Sequence, residues 1–368
     1  MRSIGVAIVL VVIVALLFNR YFSSQQVGTS GIAGSSKLST GAPWDVRQVA
    51  LPVILTNRPA MQSVGQLEAT PLSTPAPDGV PVGLTYLGPI WEKGGSIRLQ
   101  PWQGAVQRLI STAPGGDRQL SVMATPGTSG TVLLLNARAK QSSHMYWWNM
   151  STGRHQSVLI TNSKTTQHMK AFYTPSAWVI TGGPAAGVYS LNMLPTLMRK
   201  LPTSLNGWLA FGNDIFGVNH GLIGVYDWNT SGFARSHAAL VSPSAKHLGA
   251  TYFSKWGPTL VTVSSGATPA QRLLVLASAN GKGHYSQAVQ SGAQTERIYV
   301  GQDYVLKVMP SQLTFWIGWT NASGQFAWHT GGHYTASAND VAQLPTALPN
   351  SVIWRSGHIT WIWQSQIR

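Results

Sequence analysis

Hydrophobic and polar positions divide the chain into two unequal parts. Residues Ile4–Phe18 form an unbroken apolar run near the N-terminus. Beyond Pro43, apolar residues come in short β-prone runs separated by Gly, Pro, Asn and Ser, and no stretch keeps a sustained helical period. The pattern therefore predicts one N-terminal helix followed by an all-β body.

The apolar run has the composition of a transmembrane helix, and Asn19, Arg20, Tyr21 and Phe22 follow it as an interfacial edge. A cleaved secretory signal peptide is the alternative, but the small residues of a cleavage site do not follow the run closely. We therefore predict an uncleaved signal-anchor over residues 1–22. A Ser-, Gly- and Thr-rich flexible linker follows over residues 23–47.

The side of the membrane on which the body lies is weakly specified, because basic residues flank the apolar run on both sides. A Trp-rich body without a single Cys favours the outside. The expected location is the cell membrane, crossed once, with the bulk of the chain extracytoplasmic.

A turn motif recurs along the body in Tyr146–Arg154, Tyr226–Phe233 and Gly318–Phe326. In each copy an aromatic run reaches Trp, and Asn, Ser and Gly follow in that order. Asn and Gly tolerate the positive φ of a tight hairpin, so the motif predicts a strand, a turn and a strand. With four weaker copies, the turn residues are Gln103, Asn149, Asn192, Asn229, Asn280, Asn321 and Gln364.

Seven turns spaced by about 40 residues predict a seven-bladed β-propeller with four strands in each blade, in residues 83–368. The last repeat supplies only three strands before the chain ends. The β-prone run Gln48–Thr56 is predicted to close the ring as the missing strand, which would leave no open sheet edge. Residues 57–82 are predicted to be a Pro-rich connection.

The turns at Trp148–Gly153 and Asp227–Gly232 resemble those of YVTN-type and quinoprotein-type β-propeller repeats. The resemblance implies the propeller architecture and no activity. The quinone-binding residues of such enzymes have no counterpart in the chain, so no cofactor is expected.

The charge balance indicates the class of partner. Lys and Arg number 25 against 10 Asp and Glu, a net charge of +15, and this attracts polyanions. Nucleic acid is disfavoured because the basic residues are scattered singly or in pairs. A shortage of acids in a protein adapted to acidic surroundings is the alternative. The absence of Cys excludes disulfides, thiolate nucleophiles and iron–sulfur clusters.

Candidate chemistry is sparse. The ten carboxylates form no recognisable catalytic pair, and Ser323–Trp328 only loosely resembles a sialidase Asp-box, because it lacks the Asp. The sharpest cluster comprises Trp328, His329, His333 and Tyr334. Two glycines separate the histidines, so we predict a loop between the sixth and seventh blades in which Trp328 packs, and the four residues are the predicted ligand contacts. A zinc site on the two histidines is disfavoured, since glycines separate them and no acidic ligand is near.

The sequence thus predicts a membrane-anchored propeller that acts as a binding or scaffolding module for a protein or an anionic envelope polymer. It assigns no catalytic residue, no metal and no cofactor. The alternative is a polysaccharide hydrolase or lyase of the envelope, built on the same fold. The ligand itself and the oligomeric state are left open.

Overall fold

The computed structural model describes most of the chain from residue 57 onwards. The predicted anchor, the linker and the strand Gln48–Thr56 lie outside the described residues. The described residues are 57–72, 75–93, 96–105, 107–110, 119–124, 131–137, 143–149, 155–160, 169–183, 185–192, 195–240, 246–265, 272–289, 296–310, 312–328, 332–336 and 343–365.

These residues form antiparallel strands and one short 3-10 helix, η1 (His237–Leu240). In chain order the strands are β1 (Gln62–Val64), β2 (Leu67–Leu72), β3 (Val80–Thr85), β4 (Gly88–Lys93), β5 (Ser96–Leu99), β6 (Gln107–Ile110), β7 (Gln119–Ala124), β8 (Thr131–Ala137), β9 (Ser143–Asn149), β10 (His155–Ile160), β11 (Lys170–Tyr173), β12 (Trp178–Thr181), β13 (Gly187–Tyr189), β14 (Leu197–Lys200), β15 (Asn206–Phe211), β16 (Asp214–Asn219), β17 (Leu222–Asp227), β18 (Gly232–Arg235), β19 (Lys246–Phe253), β20 (Gly257–Ser265), β21 (Arg272–Ser278), β22 (His284–Val289), β23 (Arg297–Val300), β24 (Val305–Met309), β25 (Thr314–Thr320), β26 (Phe326–Ala327), β27 (His333–Thr335), β28 (Gln343–Leu348), β29 (Ser351–Ser356) and β30 (Ile359–Gln364).

Six sheets are each built from consecutive strands, and we call them the first to sixth blades. They comprise β3–β6, β7–β10, β11–β14, β15–β18, β19–β22 and β23–β27. A composite sheet, the closing sheet, has the order β1-β2-β30-β29-β28 and so joins the two ends of the described chain. The innermost strands pack side by side, with β28 against β3, so the sheets form the ring of a β-propeller.

The predicted all-β propeller architecture is confirmed, but the predicted number of blades and the predicted transmembrane helix need correction. In place of seven blades of four strands each, the ring has six contiguous blades, and a five-stranded composite sheet completes it. None of the helices in the described part of the chain has the length and apolarity needed to cross a bilayer. The transmembrane helix of the predicted fold therefore has no counterpart among these residues.

Residues 57–82, predicted to be a connection, contain β1 and β2, and β2 is the strand that pairs with β30 through Thr70–Ile362, Pro71–Trp361 and Leu72–Thr360. The position assigned to Gln48–Thr56, beside the last strand, is thus taken by β2. Pro71 made this segment look like a loop. It is tolerated because β1 pairs only with residues 67–69, which leaves the other side of Pro71 without a ladder partner.

The repeat turns lie together on one face of the ring, which we call the turn face. Each predicted turn residue ends, or closely follows, the third strand of its sheet, counted from the ring centre. The side-chain carbonyl of Asn321 accepts hydrogen bonds from the backbone N–H groups of Ser323 and Gln325, and that of Asn280 accepts one from Lys282. In the fourth blade Asp227 has this role and accepts from Asn229.

The hydrophobic core is divided among the seams between neighbouring sheets. The seam between the fifth and sixth blades holds Phe253, Trp256 and Leu276, and the seam between the sixth blade and the closing sheet holds Tyr304 and Trp354. Face-to-face packing of apolar strands explains why these strands alternate little between polar and apolar residues. Burial of apolar surface in these seams therefore holds neighbouring sheets together.

Candidate functional site

The predicted site residues lie where the outer strand of the sixth blade is interrupted. β26 pairs with Trp319 and Thr320 of β25, whereas β27 pairs with Thr314–Trp316 of the same strand. The interruption lies within a blade, whereas the sequence had suggested a loop between blades. His329 lies outside the described residues, and Trp328, His333 and Tyr334 flank the interruption.

A close backbone approach positions this segment against the closing sheet. The N–H of Gln66, in the turn between β1 and β2, donates to the carbonyl of His333 at 3.0 Å. Gly332 has a φ of 89°, and a Cβ there would lie 2.1 Å from the carbonyl oxygen of Gln66. Glycine is therefore required at position 332.

Trp328 is buried in the seam between the fifth and sixth blades. Its Nε1–H donates to the Oε1 of Gln287, on the outer strand of the fifth blade. Its ring meets Phe326 edge to face, with the centroids 5.3 Å apart. Trp328 thus joins two blades through an apolar contact and a polar one.

Lys307 lies between two indole rings in the same seam. Its Nζ is 4.5 Å from the ring centroid of Trp316 and 4.9 Å from that of Trp328. Only 9% of the residue is exposed, and burial lowers the pKa of its ammonium, while the charge of Glu296 acts in the opposite direction. Cation–π attraction compensates part of the lost hydration.

His333 belongs to the same group. It is paired with Trp316 across β25 and β27, and the two ring centroids are 6.5 Å apart. Together Gln287, Lys307, Trp316, Trp328 and His333 form what we call the Lys307 cluster. Sequence analysis missed Lys307, although a single Lys inside the apolar strand VLKVM was a signal that could have found it.

Tyr334 lies on the opposite side of the sixth blade. It is buried and packs on Phe315 and Trp354, with ring centroids 5.5 Å apart in both pairs. Successive residues of a strand point to opposite faces of the sheet, so His333 and Tyr334 cannot share one surface. The structure brings Trp328 and His333 together and places Tyr334 in another part of the core.

A second group of charged residues lies at the seam between the first blade and the closing sheet. Lys93 pairs with Asp78 at 3.1 Å on the surface. The guanidinium of Arg355 stacks 4.6 Å above the ring of Trp91 and donates to the carbonyl of Pro77. Arg98 is paired with Trp91 across β4 and β5. We call Lys93, Arg98 and Arg355 the basic cluster.

The effect of the basic cluster is seen at Asp78. A hydrogen bond from Lys93 and its charge lower the pKa of this carboxyl, and the charges of Arg98 and Arg355 lower it further. Three cations therefore act on the exposed carboxylate of Asp78, and Glu92 is the further carboxylate next to Lys93 in β4. No sequence pattern predicted the basic cluster, because Arg355 is more than 250 residues from Lys93 and Arg98.

The ring centre is closed at the turn face by the loop between β23 and β24. Gln302 donates from its side chain to the carbonyls of Tyr173 and Ala210, and its own carbonyl accepts from the N–H of Tyr252. Beside it, Ser365 donates to the carboxylate of Asp303, and burial raises the pKa of Asp303 to about 7. This loop therefore links sheets on different sides of the ring through hydrogen bonds.

The described part of the chain contains no group of three His, Asp or Glu side chains that could hold a metal ion. Asp214 and Asp227 face each other across β16 and β17. Asp227, however, accepts hydrogen bonds from Asn229 and Thr230 in its own turn, and these lower its pKa.

Comparisons with known proteins add little to the geometry. No protein-family model matches the chain, and no curated protein matches it. Among solved structures, the chain is similar to the WD40 domain of coronin from Toxoplasma gondii, with 10% identity and a TM-score of 0.44, over 83% of this chain and 87% of that domain. The assignment as a β-propeller rests on the order of the sheets and not on this similarity. The resemblance to YVTN-type and quinoprotein-type repeats stays a prediction.

Proposed function

We propose that the protein is a non-enzymatic binding module that holds an anionic polymer on the basic cluster. The observation that carries the proposal is the convergence of Lys93, Arg98 and Arg355 on Asp78, a single exposed carboxylate. A surface on which cations outnumber carboxylates attracts a chain of negative charges more strongly than it attracts a neutral partner.

The construction of the cluster supports this role. Arg355 is held by Trp91 and Pro77, so it presents its charge without the loss of side-chain freedom that a mobile Arg undergoes on binding. Lys93 is exposed and Arg98 is partly exposed, so both can reach a ligand. The net charge of +15 adds a long-range attraction that salt screens.

The proposal is tested by charge reversal of the two cluster residues that do not hold the fold together. Lys93→Glu with Arg98→Glu should weaken binding of full-length protein to polyglutamate or to an anionic wall polymer by about tenfold or more. The matched control is Lys255→Glu with Lys282→Glu, which changes the net charge by the same amount. Both lysines are exposed in turns of the turn face, away from the basic cluster.

Equal weakening in the two double variants would mean that net charge alone attracts the polymer and would overturn the assigned site. Binding that persists in both variants would overturn the anionic ligand. Binding of an acidic protein in place of the polymer, lost only in the cluster variant, would keep the site but change the class of partner.

The location at the cell membrane, with the body outside, is part of the proposal. It is supported by the apolar run Ile4–Phe18 and the polar linker after it. Full-length protein should remain with the membrane fraction, and protease added to intact cells should digest the body. Release of the whole protein into the medium would contradict this location. The hydrolase or lyase alternative stays a prediction.

A further inference from the structure

The innermost strands of the sheets all run in the same direction. Neighbouring strands of each sheet are antiparallel, so the innermost strand, like the third one, ends on the turn face and begins on the other side of the ring, which we call the opposite face. The hydrogen bonds of Gln302 with Tyr173, Ala210 and Tyr252 show three of these strands, β11, β15 and β19, ending together. The first residues of the innermost strands therefore surround the mouth of the ring on the opposite face.

Basic residues begin three of these strands. Lys170 begins β11 and Arg297 begins β23, and both residues are exposed. β19, which lies between β15 and β23 in the ring, begins at Lys246. Neither Lys170 nor Arg297 makes an ion pair with a described residue. Glu296 precedes Arg297, but successive residues of an extended chain point to opposite sides, and the charge of Glu296 acts on Lys307 in the seam with the fifth blade.

The basic cluster lies on the same face of the ring. Lys93 ends β4 and Arg355 is next to the end of β29, and each of these strands is the second of its sheet, so it ends on the opposite face. Carboxylates of the fourth blade lie on the turn face instead, where Asp214 begins β16 and Asp227 ends β17. A polyanion on the opposite face thus meets the cations of several sheets and avoids these two carboxylates.

We propose that an anionic polymer held at the basic cluster continues across the mouth of the ring on the opposite face, over Arg297 and on to Lys170. This inference rests on the proposed function and names the length of ligand that the site takes. The cations stand on different sheets, so a small anion can reach only one group of them. A long chain of negative charges can reach several in turn, and each contact after the first is intramolecular and so costs less entropy.

The probes are tetraglutamate and a polyglutamate of about 20 residues, which extend over about 14 Å and about 70 Å. Calorimetric titration of full-length protein measures both affinities, expressed per glutamate residue because the longer peptide offers more registers. The longer peptide should bind about tenfold more tightly on this scale. Lys170→Gln with Arg297→Gln should remove most of this gain and leave tetraglutamate binding unchanged. Lys93→Glu with Arg98→Glu should weaken binding of both peptides, because it removes the basic cluster itself.

The matched control is Lys255→Gln with Lys282→Gln, which removes the same charge from the turn face and should keep the gain. An equal loss in the control, or an unchanged gain in Lys170→Gln with Arg297→Gln, would overturn the path across the mouth and leave the basic cluster as the site. Wild-type protein that binds neither peptide would overturn the proposed function and this inference with it. Binding to phosphatidylglycerol vesicles that is lost in Lys170→Gln with Arg297→Gln, while polyglutamate binding persists, would assign the mouth to a lipid surface and overturn the polymer.

Discussion

The side-chain amide of Gln302 donates to the carbonyl of Tyr173 at 3.2 Å and so links the sixth blade to the third across the ring. The same amide lies 3.4 Å from the carbonyl of Ala210 in the fourth blade. The backbone of Gln302 bonds to Tyr252 of the fifth blade and to Pro349 of the closing sheet. One residue therefore holds five sheets in register at the turn face.

Replacing Gln302 by Ala should destabilise the protein by about 1–3 kcal/mol, because the carbonyls of Tyr173 and Ala210 lose their donor. Unfolding in urea, followed by tryptophan fluorescence, measures the change. Gln312→Ala, at an exposed position, is the matched control and should have little effect. Equal stability of the two variants would show that the side-chain hydrogen bonds of Gln302 are dispensable.

Asp303 should make stability depend on pH. Burial raises its pKa from 3.8 to about 7 in the folded protein, so the folded state prefers the protonated carboxyl. That preference stabilises the fold fully below about pH 4 and is lost as the pH rises through about 7. The free energy of unfolding of Asp303→Asn should therefore be close to that of the wild type at pH 4. At pH 8 it should exceed that of the wild type by up to about 4 kcal/mol.

The pH dependence is measured by thermal unfolding of both proteins between pH 4 and pH 8. Tyr304 is the described titratable group whose pKa the charge of Asp303 raises, and it stays protonated throughout this range. A stability difference that does not change with pH would show that Asp303 acts through its hydrogen bond with Ser365 alone.

The closing strand should be essential to the ring. Leu67 of β2 is 1% exposed and packs in the seam with the sixth blade, so Leu67→Ala should cost about 2–5 kcal/mol. The neighbouring Glu68 is exposed and accepts a hydrogen bond from Ser63, so Glu68→Ala should change stability little. Denaturant titration separates the two. A mild effect of Leu67→Ala would indicate that another segment closes the ring.

His333 and Tyr334 should respond differently to substitution, since they lie on opposite faces of β27. Tyr334→Ala should lower the free energy of unfolding by about 3–5 kcal/mol, because its ring fills the core beside Phe315 and Trp354. His333→Ala should change the free energy of unfolding much less, because the His333 side chain is only partly buried. A large loss of stability in His333→Ala would assign a structural role to both residues.

Asp78 should oppose binding of a polyanion, because it is the carboxylate that the basic cluster surrounds. Asp78→Asn should strengthen polymer binding, and the gain should shrink as salt rises, since the Debye length falls to about 3 Å at 1 M. Binding at low and high salt measures both effects. Weaker binding by Asp78→Asn would mean that the carboxylate positions Lys93 for the ligand.

The sequence by itself determined the all-β architecture and the position of the repeat turns. Asn280 and Asn321 lie in tight turns as predicted, although they act as side-chain caps and the positive φ belongs to Gly281 and Gly324. A tight turn is a local feature of a few consecutive residues, so the sequence alone can place it. The same local information failed at β2, where Pro71 suggested a connection. Whether a Pro is tolerated in a strand depends on which neighbouring strand faces its missing N–H.

Only the tertiary structure decided the composition of the sites. Lys93 and Arg355 are far apart in sequence and meet because β29 of the closing sheet lies beside the first blade. Likewise, Trp328 joins Lys307, whereas Tyr334 joins a different seam, because the two faces of a blade pack on different neighbours. Contacts between sheets depend on ring closure, a long-range event that no short stretch of residues encodes.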